Sequence, residues 1–161
     1  GNEPFAVILA DDLCAKPEDS NDKALSQLTA LYEHYQCSIV AIEEVPADET
    51  HSYGVISGEE IADGIYQIKD MVEKPQPEDA PSNLAIIGRY ILTPEIFDYL
   101  RNTPPGANGE IQITDALRQM AQERLVLAVK FKGRRFDCGS VEGFVEATNY
   151  YYEREHLNKL A

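Results

Sequence analysis

The stretch FAVILADD, from Phe5 to Asp12, decides the fold class of this chain. Residues Phe5 to Leu9 form a continuous apolar run, which is typical of a strand that is buried on both faces. The run ends in Ala10, Asp11 and Asp12, so two carboxylates follow the predicted strand. Because ligands bind outside the carboxyl ends of strands in open α/β sheets, this segment predicts a central strand and the edge of a binding site.

The segments that follow extend the pattern to an α/β architecture. Apolar residues recur at helical spacing from Asp22 to Tyr35, and the next segment, Ser38 to Val45, is rich in β-branched residues. This strand–helix–strand unit is typical of α/β folds. From Tyr53 to Leu92, turn signals separate several strands with no helix between them, which predicts an antiparallel β insertion lying against the main sheet. An aromatic-rich helix is predicted from Val141 to His156.

Length, charge and cysteine usage limit the function classes. The 161 residues fit one domain, 1–161. A formal charge of −14 would repel a phosphate backbone and an anionic bilayer, which argues against nucleic-acid and membrane partners. The three cysteines match neither a zinc site nor a disulfide framework, and they indicate a reducing, cytoplasmic location.

Four motifs and a final turn carry a resemblance to a known family. They are PFAVILADD (4–12), SYGVI (52–56), VEKPQPEDAPSNLAIIGRYIL (72–92), PPGANGEIQITDAL (104–117) and the FDCG turn (136–139). In this order they resemble the bacterial UTP–glucose-1-phosphate uridylyltransferases, also called UDP-glucose pyrophosphorylases. The resemblance implies a nucleotidyltransferase fold of the glycosyltransferase-A, Rossmann-like type, with a mixed sheet flanked by helices.

The resemblance also implies which part of that fold the chain represents. The matching segments belong to the C-terminal, sugar-phosphate-binding portion of the family. The glycine-rich loop with which the N-terminal half of the family binds the nucleotide has no counterpart in residues 1–161. The isolated chain is therefore expected to be inactive.

The reaction implied by the resemblance joins two anions. The family transfers uridylyl from UTP to glucose 1-phosphate and forms UDP-glucose and pyrophosphate, a reaction that depends on a divalent cation for charge neutralisation. Asp11 matches the metal-binding aspartate of the family, and Asp137 matches a second one in related enzymes. The implied cofactor is Mg²⁺, which prefers carboxylate oxygen. From the residues alone, an aspartate that caps a loop is an equal alternative.

Glu73 and Lys74 are the implied contacts to the sugar phosphate. Alternation along a strand predicts that the two side chains point to opposite faces. The resemblance assigns Glu73 to the glucose hydroxyls and Lys74, also a catalytic candidate, to the phosphate, a role that suits an ammonium. Without the family, a surface Glu–Lys pair before a proline turn is the alternative.

The resemblance places further residues near the sugar. Gly54 lacks a side chain and would allow the backbone to approach a ligand closely. Ile86, Ile87 and Gly88 are implied to contact the sugar through backbone and packing. An ordinary turn glycine is the alternative for Gly54.

Two alternative functions and one assembly state remain open from the sequence. The chain could be a non-catalytic sugar-phosphate or nucleotide-sugar binding or assembly module, or a fragment of a related thymidylyltransferase. Because the strand at Phe5 to Leu9 would have an open edge without further strands beside it, a homo-oligomer is expected.

Overall fold

The computed structural model describes residues 2–106 and 109–157. Residues 107 and 108 of the PPGANGEIQITDAL motif lie outside the described residues. The strands are β1 (Phe5–Ile8), β2 (Asp12–Ala15), β3 (Ser38–Glu44), β4 (Gly54–Ala62), β5 (Ile65–Glu73), β6 (Leu84–Leu92), β7 (Val126–Lys130) and β8 (Arg134–Asp137). The helices are α1 (Ala24–Tyr35), α2 (Ile96–Asn102), α3 (Ile113–Glu123) and α4 (Val141–Tyr152), and a π-helical turn, Glu153–Leu157, follows α4. None of these helices is both long and apolar enough to cross a bilayer.

Six of the strands form one mixed sheet in the order β1-β6-β3-β7-β5-β4. Strands β3 and β7 are parallel, whereas the other pairings in this sheet are antiparallel. The expected mixed sheet with flanking helices is confirmed. The predicted insertion, however, does not lie against the sheet: β5 pairs with β7 and β4 pairs with β6, so the β4–β5 hairpin continues the sheet.

The sheet is covered on both faces by helices. Leu117 and Met120 of α3 pack on one face, and Leu28 of α1 packs on the other. The two central strands have no polar alternation, as SIVAI in β3 and the whole of β6 show, because their side chains are buried on both sides. The core therefore lies in two layers, with the binding edge at the ends of the strands.

The first strand departs from the sequence prediction. The FAVIL run was predicted to be buried on both faces, but Ile8 is 55% exposed and Leu9 is 43% exposed. The reason is that only one face of β1 is covered: Phe5 and Val7 pack against the core, whereas Ala6 and Ile8 on the other face are exposed. Strand β1 also pairs only with β6 and forms the edge of the sheet. No neighbouring strand covers its outer side in the described residues.

A two-stranded ribbon links the distant ends of the chain. Strands β2 and β8 pair antiparallel, with Asp12 opposite Asp137 and Cys14 opposite Arg135. Phe136 on the other face of the ribbon is buried against Ala147 of α4. This pairing sets the acidic residues that follow β1 beside those that end β8.

Candidate active site

A cleft of about 280 Å³ opens where the ends of β5 and β8, the start of β4, the middle of β6 and the first turn of α3 meet. It is lined by residues from nearly every motif of the chain. They are Leu9, Asp11, Asp12, Ser52, Tyr53, Gly54, Glu73, Lys74, Ile86, Gly88, Tyr90, Gln112, Ile113, Thr114, Arg135 and Asp137. The cleft thus brings together all but one of the site residues predicted from sequence.

Glu73 is oriented by a helix that starts beside it. The hydroxyl of Thr114 donates a 2.6 Å hydrogen bond to Oε2 of Glu73. A Cβ on Gly54 would lie 3.0 Å from Glu73 Oε2, 3.1 Å from Thr114 Oγ1 and 3.3 Å from Ile86 Cδ1. The missing side chain of Gly54 therefore leaves room for this hydrogen bond.

Lys74 leaves the strand in an unusual backbone conformation. Its φ of 46° lies in the left-handed region, which non-glycine residues rarely adopt, and its amide donates a 3.0 Å hydrogen bond to the carbonyl of Tyr53. The predicted alternation of Glu73 and Lys74 is wrong, because β5 ends at Glu73 and the chain turns there. Both residues line the same cleft.

The two predicted metal ligands converge at Gly139. A Cβ on Gly139 would lie 3.0 Å from Asp137 Oδ1 and 3.7 Å from Asp11 Oδ2. The Gly139 amide donates to Asp137 Oδ1 at 3.1 Å, and the Cys138 amide donates to the carbonyl of Asp11 at 2.7 Å. The FDCG turn thus brings Gly139 next to both carboxylates.

Asp11 and Asp12 differ in their surroundings although they are neighbours. Asp11 is exposed, and its carboxylate accepts no hydrogen bond from the described residues. Asp12 is buried, ion-paired with Arg135, and accepts a 3.0 Å hydrogen bond from the Gly88 amide. A Cβ on Gly88 would lie 2.8 Å from that carboxylate oxygen, so only glycine allows this approach. Both residues line the cleft, but the Asp12 carboxylate is held by Arg135 and Gly88, whereas the Asp11 carboxylate is exposed.

Arg135 is the residue that sequence reasoning missed. Its side chain is 7% exposed, and its guanidinium forms ion pairs with Asp12, with Glu43 at 2.8 Å and with Asp137 at 3.2 Å. It also lies 4.8 Å from the ring centroid of Tyr53. The sequence could have indicated Arg135, because it precedes Asp137 by two residues and strand alternation places residues at this spacing on one face.

Burial and nearby charges shift the pKa values of three residues at the site, Arg135, Glu43 and Tyr90. Burial alone would lower the pKa of Arg135, but Tyr53 and the carboxylates of Asp12 and Glu43 raise it above its ordinary value. Burial raises the pKa of Glu43, and Arg135 opposes that rise. Burial also raises the pKa of Tyr90, with further contributions from nearby carboxylates, so its phenol is neutral.

Ile87 is the predicted site residue that does not line the cleft. Ile86 and Gly88 face the cleft, but Ile87 between them is fully buried on the opposite face of the sheet, in the cluster with Leu28 and Ile39. Strand alternation along β6 is the reason.

The comparisons with known proteins agree with this arrangement. The family model described as nucleotidyl transferase matches residues 1–154, and the chain belongs to that family. It is 64% identical over 153 residues to the UTP–glucose-1-phosphate uridylyltransferase of Pseudomonas aeruginosa strain PAO1, covering 95% of this chain and 54% of that protein.

Two solved structures are similar as well. A UDP-glucose pyrophosphorylase complexed with UDP-glucose matches with a TM-score of 0.92 at 62% identity, over 96% of this chain and 58% of that one. A UTP-bound UGPase from Acinetobacter baumannii matches with a TM-score of 0.83 at 34% identity, over 97% and 53%. The chain spans about half the length of the relatives it matches.

Proposed function

We propose that residues 1–161 form the sugar-phosphate-binding portion of an enzyme that transfers uridylyl from UTP to glucose 1-phosphate. The main observation behind this proposal is that one cleft is lined by Glu73, Lys74, Asp11 and Asp137. The 64% identity to a uridylyltransferase supports the choice of reaction. Because the chain spans about half of that relative, the complete activity is proposed for a protein of the relative's full length.

Glu73 and Lys74 are proposed to bind different parts of the sugar phosphate. Glu73 is proposed to accept hydrogen bonds from glucose hydroxyls, with its carboxylate oriented by Thr114. The Lys74 ammonium is proposed to contact the sugar phosphate. Lys74 is exposed, and no carboxylate of residues 2–106 and 109–157 lies within salt-bridge distance of it. Its backbone is left-handed, and it lines the cleft together with Glu73.

The walls of the cleft would fit the sugar ring. Gly54 and Ile86 contribute small or apolar surface next to Glu73, and Gly88 does so next to Asp12. We propose that Ile86 packs against the ring and that Gly54 and Gly88 allow the backbone to approach it. Ile87 supports β6 from the opposite face, so its proposed contribution is limited to positioning that backbone.

Asp11 and Asp137 fit a Mg²⁺ ion. Mg²⁺ in phosphate-transfer sites is commonly held by one or two carboxylates together with substrate phosphate oxygens. The described residues contain no cluster of three or more potential ligands, but they supply two adjacent carboxylates at Gly139. When bound, the ion would neutralise phosphate charge, and Arg135 would hold Asp137 in place through its 3.2 Å ion pair.

Turnover tests the catalytic assignment in a chimera that joins this chain to the remaining half of the Pseudomonas enzyme. Lys74→Ala is expected to reduce kcat about a hundredfold, because one oriented cation facing a reacting phosphate contributes about 3 kcal/mol. Lys132→Ala removes an exposed lysine outside the cleft and is expected to retain activity. Equal pyrophosphate release by the two variants would contradict the role of Lys74.

The metal assignment has its own test in the same chimera. Asp11→Asn and Asp137→Asn are each expected to raise the Mg²⁺ concentration needed for half-maximal activity, because a carboxylate charge is lost. Cys138→Ser is the matched change in the same turn and should leave the Mg²⁺ requirement unchanged. An unaltered requirement in both aspartate variants would remove them from the metal site.

A further inference from the structure

A second cavity lies away from the cleft, between the end of β2 and the carboxyl-terminal part of α4. Its volume is about 250 Å³, and it shares no lining residue with the cleft. We call it the tyrosine–lysine pocket. The residues that matter to its chemistry are Cys14, Lys16, Lys23, Tyr150, Tyr151 and Arg154.

Three basic residues line the tyrosine–lysine pocket although the protein is acidic. The chain has only 14 basic residues against 28 acidic ones, yet Lys16, Lys23 and Arg154 line this one small cavity. Lys16 donates to the carbonyl of Ser20 at 2.9 Å and to Oδ1 of Asn21 at 3.0 Å, and neither acceptor carries a charge. The positive charge of Lys16 is therefore not neutralised by these contacts.

Arg154 has one weak ionic partner among the described residues. It pairs with Glu18 at 3.3 Å, but the Glu18 side chain is 86% exposed. Exposed pairs of this kind contribute little free energy, because water solvates both charges well. An anion in the pocket could replace Glu18 at small cost.

The aromatic wall of the pocket packs against neighbouring side chains. The Tyr150 ring lies 5.0 Å from the buried Phe136 ring, and the Arg154 guanidinium lies 4.9 Å from the Tyr150 centroid. Tyr151 stands edge-on to Tyr150, with centroids 5.3 Å apart. The two rings offer an apolar surface against which a flat ring can pack.

We propose that the tyrosine–lysine pocket is a second ligand site for a small phosphate ester that carries an aromatic ring. The phosphate would contact Lys16, Lys23 and Arg154, and the ring would pack against Tyr150 and Tyr151. A cavity of about 250 Å³ is smaller than typical drug-sized sites, which suits a small ligand with one aromatic ring and one phosphate. Aryl phosphates and nucleoside monophosphates share this chemistry.

Calorimetric titration of the 161-residue chain tests the site directly. The probes are phenyl phosphate and UMP, with inorganic phosphate, phenol and uridine as the corresponding fragments. At least one of the two esters is expected to bind at least tenfold more tightly than its fragments, and binding should weaken with added salt. Binding of UMP but not of phenyl phosphate would identify the ligand as a nucleoside monophosphate. The reverse result would identify it as an aryl phosphate. No binding of either ester, or equal binding of inorganic phosphate, would overturn the proposal.

Variants separate this pocket from the cleft. Lys16→Gln and Tyr151→Ala are each expected to weaken binding of the ester about tenfold, whereas Lys132→Gln, a matched loss of one exposed lysine, should not. Lys74→Gln alters the cleft and should also leave this binding intact. If Lys74→Gln abolishes binding, the ester occupies the cleft and the second site does not exist. Ligand-dependent shifts of the Tyr150 and Tyr151 ring resonances in the unmutated chain provide a readout that does not depend on how the variants fold, and unshifted rings would contradict the assignment.

Discussion

Thr114, the second residue of α3, donates a 2.6 Å hydrogen bond to Glu73, the last residue of β5. Thr114 is 4% exposed and Glu73 is half-buried, so the bond is largely shielded from water. It couples the start of a helix to the end of a strand at the wall of the cleft. The orientation of the Glu73 carboxylate therefore depends on tertiary packing.

Replacing Thr114 by valine removes the donor while keeping the shape of the side chain. We expect Thr114→Val to lower the free energy of unfolding by about 1–2 kcal/mol, because a shielded carboxylate loses its hydrogen bond. Urea denaturation measures the change. Thr29→Val alters an exposed threonine of α1 and should change stability by less than about 0.5 kcal/mol. Equally small changes in the free energy of unfolding for the two variants would show that the hydrogen bond from Thr114 to Glu73 does not stabilise the fold.

Arg135 is expected to contribute far more to stability than an exposed arginine does. Arg135→Met leaves Asp12 and Glu43 partly or fully buried without their cation, which predicts a loss of about 3–5 kcal/mol of unfolding free energy. Arg101→Met breaks an exposed pair with Asp98 and should cost less than about 1 kcal/mol. Chemical denaturation measures the unfolding free energy of Arg135→Met and Arg101→Met. Similar denaturation midpoints for the two variants would refute the structural role of Arg135.

Cys37 makes stability depend on pH in the alkaline range. Cys37 is 7% exposed, and burial raises the pKa of its thiol from 9.0 to about 11. Between these values the folded chain holds a proton that the unfolded chain has lost, so stability falls as the pH rises from 9 towards 11.

The contribution of Cys37 is isolated by a variant without the thiol. Between pH 8.5 and pH 11, the unfolding free energy of the unmutated chain should drop by about 2 kcal/mol more than that of Cys37→Ala. Urea denaturation at several pH values measures both chains, and the tyrosines that titrate in both cancel in the difference. Parallel pH profiles of the unfolding free energy for the unmutated chain and Cys37→Ala would contradict the raised pKa of Cys37.

The exposed edge of β1 predicts self-association of the isolated chain. Ile8 is 55% exposed on a strand that pairs only with β6, and such open edges pair readily with other strands. We expect light scattering to give a species larger than the 18.0 kDa monomer. Ile8→Lys should shift the chain towards the monomer, because a charge at the edge opposes pairing.

Leu125→Lys adds the same charge at another exposed apolar residue and should leave the association unchanged. A monomer in the unmutated chain at all concentrations would refute the prediction.

Sequence patterns were sufficient where neighbouring residues carry the information. Helical spacing located α1 to within two residues of its start, and the β-branched segment from Ser38 to Val45 located β3, because such patterns reflect which faces of an element are buried. The position of Asp11 after the first apolar run likewise follows from local sequence. The mixed sheet and the family were recognisable from motifs that each lie within one short segment.

Only the tertiary structure decided the features that depend on contacts between distant segments. The left-handed turn at Lys74, stabilised by the Tyr53 carbonyl, places Glu73 and Lys74 in one cleft where strand alternation predicted opposite faces. The ion pairs of Arg135 require β2, β3 and β8 to meet. The burial of only one face of β1, with Phe5 and Val7 against the core and Ile8 exposed, depends on which elements pack on that strand. Periodicity reports the environment of each element separately, whereas these features arise from which elements become neighbours and at what register.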